Sequence, residues 1–125
     1  DITLVAIGSM VSIAWEVRAA LVERGINAGV INARFAKPID LQTIRLQVEK
    51  TGRVLTLEEN SRAGGFGQQV LDGLNELGTP CTFKIIALPD KFIEHGAQPL
   101  IRADAGLSAE AVLEAALSLC SRHFR

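Results

Sequence analysis

Cysteine is scarce in this chain. Cys81 and Cys120 stand far apart with no C-x-x-C spacing, which excludes the common zinc and dithiol redox patterns. They are expected as buried thiols in a reducing compartment. An excess of charge is missing too: 13 Lys and Arg balance 14 Asp and Glu, and the signs are interspersed. That leaves no electrostatic footprint for nucleic acid or for an anionic membrane. No apolar run approaches the roughly 20 residues that span a bilayer. No signal-peptide pattern opens the chain, and no N-x-S/T sequon occurs. Asp1-Ile2-Thr3-Leu4 starts directly as a core strand without lead-in or methionine, so the chain is expected to be a fragment of a longer polypeptide. The familiar chemical motifs are absent as well. The first turn lacks G-x-G-x-x-G, Gly64-Gly65-Phe66-Gly67 does not complete it, no P-loop lysine follows a glycine cluster, and no G-x-S-x-G holds a nucleophile.

What is present is an alternation of strand and helix patterns. At 125 residues the chain has the length of one domain, able to bury about two-thirds of its unfolded surface. Thr3 to Ile7 is a short, β-branched apolar run closed by Gly8, the mark of a strand covered on both faces. Ser9 is placed to cap a helix with Met10, Ala14, Val17 and Leu21 at helical spacing, and Gly25 supplies its stop. Asn27 to Ala33 reads as a second strand. Asp40 caps a second helix whose stripe is Leu41, Ile44 and Val48 and whose end is Gly52. Arg53 to Glu58 is the third strand, followed by a glycine turn and a helix to Leu77. Gly73 inside that helix costs about 1 kcal/mol relative to alanine. Thr82 to Leu88 is the fourth strand, Pro89 to Ala97 a long loop, and Pro99 to Ala103 a short helix. The last helix starts at Ser108 and buries Ala109, Val112, Leu113, Ala116, Leu117 and Cys120. Such βαβ units predict an α/β fold around a parallel sheet with right-handed crossovers, formed here by four strands.

In a parallel sheet, ligands and partners gather at the carboxyl ends of the strands. The residues singled out there are Ser9, Glu59, Gly64, Gly65, Phe66, Gly67, Asp90, Glu94 and His95, a candidate crevice or interface. Helices starting at Ser9 and near Gly65 would aim backbone N–H groups at that rim, where an anion could sit; turn geometry and close helix packing explain the glycines more simply. Glu58 and Glu59 resemble a paired-carboxylate site, but adjacent strand residues point to opposite faces. One of them is expected to hydrogen-bond a neighbouring loop. His95 follows Glu94, yet no nucleophile motif accompanies it. His123 suits the basic end of the last helix, and Trp15, the only tryptophan, is read as core-edge or interface filler.

Several blocks together carry a family resemblance. They are Asp1 to Val11, Asn32-Ala33-Arg34-Phe35 with Lys37-Pro38-Ile39-Asp40, Glu58-Glu59-Asn60 with Gly64-Gly65-Phe66-Gly67, and Leu88-Pro89-Asp90-Lys91-Phe92-Ile93-Glu94-His95-Gly96. In this order, over nearly the whole chain, they resemble the C-terminal domain of 1-deoxy-D-xylulose-5-phosphate synthase. The first block is shared with transketolases and with the beta subunits of 2-oxoacid dehydrogenases; the second and last are more discriminating. Asn60 stands where many relatives have histidine, and Ser61-Arg62 resembles the dehydrogenase version of that loop.

The resemblance implies a homodimeric parent enzyme that uses thiamine diphosphate and Mg2+ to condense pyruvate with glyceraldehyde 3-phosphate, at the entry to isoprenoid synthesis. It implies a cytoplasmic protein in a bacterium, or a plastid one in a plant or alga. The cofactor would be bound by the two preceding domains, so no catalytic, cofactor or metal residue carries over to this fragment, and its expected partners are those domains. The alternatives are the same domain of a transketolase or dehydrogenase subunit, or a stand-alone small-molecule-binding module. The resemblance also implies a three-layer α/β/α fold with a mainly parallel sheet of four to five strands, because family members have a further antiparallel edge strand before the segment matched by this chain. A sheet order of 2-1-3-4 is therefore expected, with the Asn27 to Ala33 strand as an unprotected edge prone to self-pairing.

Overall fold

The computed structural model describes residues 1–33, 39–61, 64–88 and 107–121. The strands are β1 (Ile2–Ala6), β2 (Ala28–Asn32), β3 (Arg53–Ser61) and β4 (Thr82–Leu88). The helices are α1 (Met10–Glu23), α2 (Leu41–Thr51), α3 (Phe66–Glu76) and α4 (Ala109–Ser121). All strand pairs are parallel, as the alternating pattern predicted, and the spatial order is β2-β1-β3-β4, as the family resemblance implied.

Every residue of β1 is buried, which explains its unbroken apolar run. Ile2, Leu4 and Ala6 join Leu55 and Leu57 of β3 under α1 and α4. Val5 and Val54 face the other way, onto Ile44 and Val48 of α2 and Phe66, Val70 and Leu74 of α3. Two apolar layers thus enclose one sheet, and the three-layer expectation holds. Thr3 is the polar exception in β1; its Oγ1 lies 2.9 Å from Thr51 Oγ1 at the end of α2.

The helix punctuation divides into successes and one failure. Asp40 accepts from Thr43 N–H at 3.2 Å and from Thr43 Oγ1 at 2.7 Å, and Gly52 ends α2 at φ 71°. Ser108 Oγ accepts from Ala111 N–H at 3.2 Å, opening α4. Ser9, expected to cap α1, makes no side-chain cap bond. Its backbone (φ −64°, ψ −16°) is already helical, whereas a capping side chain needs an extended residue to reach back over the turn.

Several boundaries shift. β2 is shorter than expected, Ala28–Asn32, and β3 runs past Glu58 to Ser61. The extension comes from β4, which pairs with β3 again at Ser61↔Leu88 after a register shift. α4 buries Leu119 beside Val112 and Ala116, a position absent from the expected stripe. Gly73 is explained by packing: a Cβ there would lie 2.6 Å from Leu41 Cδ1, so the glycine lets α2 approach α3. The expected loop at Pro89 to Ala97 and helix at Pro99 to Ala103 lie outside the described residues, as does His123.

Candidate functional site

The carboxyl end of β3 is where the sequence placed its strongest signal. Alternation along β3 sends Leu55 and Leu57 to the α1/α4 layer and Val54 to the α2/α3 layer. Thr56 and Glu58 share the side of Val54, and Glu58 is fully buried there. One carboxylate oxygen accepts from Phe66 N–H at 2.9 Å and the other from Gly67 N–H at 2.5 Å. These amides open α3, whose N-cap is Gly65, a residue with no side chain to offer. Glu58 therefore caps α3 from the neighbouring strand, satisfying two of its orphan donors and meeting the positive end of the helix dipole.

The glycines serve this contact. Gly64 takes the left-handed conformation at φ 67°, which a side chain would strain. At Gly67, a Cβ would lie 2.5 Å from Thr56 Oγ1, 2.9 Å from Ile85 Cγ2 and 3.0 Å from Glu58 Oε2, so only glycine lets α3 settle on β3 and β4. Thr56 Oγ1 is buried in the same place without a hydrogen-bond partner. Burial raises the Glu58 carboxyl above the ordinary glutamate value, opposed by the Gly67 and Phe66 N–H bonds that favour its ionised form.

The expected site residues are only partly brought together. Phe66 and Gly67 meet at the Glu58 carboxylate, and Gly64 and Gly65 lead the chain into that contact. Ser9 is exposed beyond the end of β1, and Glu59 is half-buried with an interaction of its own. Asp90, Glu94 and His95 lie outside the described residues. The first two amides of α3 are taken by an internal carboxylate, in keeping with glycines that serve turn geometry and close packing and not an anion. Glu58, left out of the expected crevice, is the residue that organises it. Its signal was legible as a carboxylate on the buried phase of a strand, eight positions before a glycine-led helix start.

The two cysteines are free and half-buried, and burial raises both thiols, which keeps them in the unreactive form. Trp15 is exposed on α1, with the Arg18 guanidinium 5.6 Å from its ring centre. Among the described residues, no three His, Cys, Asp or Glu side chains come together to hold a metal. No helix of the described part is long and apolar enough to cross a membrane.

Comparison with known proteins places this geometry in a family. The 1-deoxy-D-xylulose-5-phosphate synthase of Desulforudis audaxviator is 50% identical over 119 residues, covering 94% of this chain and 19% of that protein. The synthase of Heliobacterium modesticaldum is 44% identical over 119 residues, 95% of this chain and 18% of that protein. The chain thus spans about a fifth of the length of the curated relatives it matches. A split-gene transketolase, solved as an inactive beta4 tetramer, superposes at a TM-score of 0.86 with 33% identity, over 95% of this chain and 38% of that one. A transketolase from Campylobacter jejuni shares the fold at a TM-score of 0.61 and 20% identity, over 94% of this chain and 16% of that one. The family model for the transketolase C-terminal domain matches residues 1–112, and the chain belongs to that family.

Proposed function

We propose that this chain is the C-terminal assembly module of a 1-deoxy-D-xylulose-5-phosphate synthase and performs no chemistry alone. The observation that carries the module role is the Glu58 contact. A buried carboxylate with both oxygens bound to α3 is spent on holding the glycine turn and helix at the sheet rim. Identities of 44–50% over almost the whole chain favour the synthase as parent over a transketolase, whose split-gene relative stands at 33%.

In such a parent, thiamine diphosphate supplies the carbanion chemistry that joins pyruvate to glyceraldehyde 3-phosphate. The described residues do not fit that cofactor: both Glu58 oxygens are engaged by the α3 amides, and no three His, Cys, Asp or Glu side chains come together among them to hold Mg2+. The cofactor and Mg2+ would belong to the other domains of the parent, a cytoplasmic homodimer. The rim around Glu59, Gly64 and Gly65 would meet those domains. The test is calorimetry and turnover on the purified chain. With thiamine diphosphate, Mg2+, pyruvate and glyceraldehyde 3-phosphate, no saturable heat and no product are expected. Product formed by the chain alone would refute the proposal, and saturable binding would favour a stand-alone sensor.

A further inference from the structure

The Thr56 hydroxyl is fully buried at the β3–α3 corner and makes no hydrogen bond, which interior polar groups seldom forgo. Gly67 locates it. The place a Cβ would take on that glycine lies 2.5 Å from Thr56 Oγ1 and 3.0 Å from Glu58 Oε2. Hydroxyl and carboxylate, two positions apart on one face of β3, therefore flank the same glycine. Glu58 Oε2 is also the oxygen that accepts from Gly67 N–H, while Oε1 accepts from Phe66 N–H.

An ionised carboxylate can accept both amides. A carboxylic acid has one oxygen that must donate, so a protonated Glu58 needs an acceptor of its own. Phe66 and Ile85, its apolar neighbours, have no side-chain acceptor to give. Thr56 Oγ1 is an acceptor left unused in that place.

We propose that Glu58, Thr56 and Gly67 form a proton-operated latch on the start of α3. The ionised carboxylate grips both amides. On taking a proton from solvent, Glu58 donates from Oε2 to Thr56 Oγ1 and holds Gly67 only weakly through the remaining lone pair. Phe66 keeps its bond to Oε1 in both states, so α3 stays docked while the glycine turn before it loosens. The charged residues of the packed elements stand apart. Glu49 and Lys50 of α2, Asp72 and Glu76 of α3 and Lys84 of β4 are exposed, and Arg45 of α2 pairs with Glu49. Burial and the two amides act on the Glu58 proton, and burial outweighs them. The acid form therefore appears at a higher pH than in an exposed glutamate.

The test is an NMR pH titration of the 125-residue chain, following the Glu58 carboxyl carbon and the Phe66 and Gly67 amides. Wild type, Thr56→Val and Thr56→Ser are compared. The Gly67 amide is expected to move with the Glu58 midpoint, and further than the Phe66 amide. Thr56→Val keeps nearly the same shape but removes the acceptor, so it should lower that midpoint by about half a unit or more. Thr56→Ser keeps the hydroxyl and should retain the wild-type midpoint. A Thr56→Val midpoint equal to or above that of the wild type would overturn the proposal. So would a Gly67 amide that stays fixed while Glu58 titrates. Circular dichroism checks that the variants fold; if Thr56→Val does not, the two amides of the wild type decide alone.

Discussion

Glu58 shows how a single side chain can look catalytic and act structurally. A buried carboxylate is costly unless its oxygens are satisfied, and here two amides of α3 satisfy them. Replacing it with alanine leaves both amides buried and unpaired. Glu58→Ala is expected to lower unfolding stability by about 2–4 kcal/mol, read from urea denaturation. The pH dependence has a definite sign. Burial raises the Glu58 carboxyl above the ordinary 4.5, so the folded protein holds this proton more tightly than the unfolded chain does. Its contribution is complete below pH 4.5 and is lost as pH rises through the raised value. The stability difference between wild type and Glu58→Gln, which cannot titrate, should therefore shift against the wild type over that window. A difference independent of pH would contradict this. The glycines offer a second comparison. At Gly67 a new methyl group meets the Thr56 hydroxyl, Ile85 and the Glu58 carboxylate together, whereas at Gly73 it meets only the Leu41 side chain. Gly67→Ala should cost about 1–3 kcal/mol. Gly73→Ala should cost less, because the gain in helix propensity, about 1 kcal/mol, offsets the repacking of Leu41.

At the level of elements, what could be read in advance was what depends on local chemistry. The Asp40 cap works as read because Thr43 lies within reach of its carboxylate. The Thr43 side-chain and backbone bonds hold the Asp40 carboxyl below its ordinary 3.8. This contribution is present above pH 3.8 and lost as pH falls through the lowered value, the opposite sense to Glu58. Asp40→Asn should flatten the acid limb of the stability profile below pH 3.8. Ser9 has a capping side chain but a helical backbone, and composition alone does not reveal that difference. One of the two acids is expected from the sequence to hydrogen-bond a neighbouring loop, and Glu58 does so at the start of α3. Its role depends on where α3 begins relative to β3, which is tertiary information. Leu119 was missed for a related reason: α4 packs against α1 as well as against the sheet, which widens its buried stripe. The open edge of β2 followed from strand order. In a dilute sample, amide exchange should be fast at Val30 and Asn32 and slow at Gly29 and Ile31, whose N–H groups face β1. Uniform protection along β2 would contradict the parallel pairing of β1 with β2, which runs from Ile2 N–H on Asn27 C=O to Ala33 N–H on Ala6 C=O.

For the whole molecule, the parallel sheet was legible because the βαβ alternation leaves few topologies open; its strand order came with the family, which followed from collinear loop blocks. Residues 89–97, with Asp90, Glu94 and His95, lie outside the described residues, so the site rests on the β3–α3 corner. That corner is built to hold α3 on the sheet, which suits a chain proposed to contribute structure to a larger enzyme. The most direct test is exchange of parts. This chain would replace the 119 matched residues of the Desulforudis audaxviator synthase, and formation of 1-deoxy-D-xylulose 5-phosphate from pyruvate and glyceraldehyde 3-phosphate would be measured. An active chimera beside an inactive isolated chain is expected. A folded chimera without activity, or an isolated chain that makes the product, would contradict it.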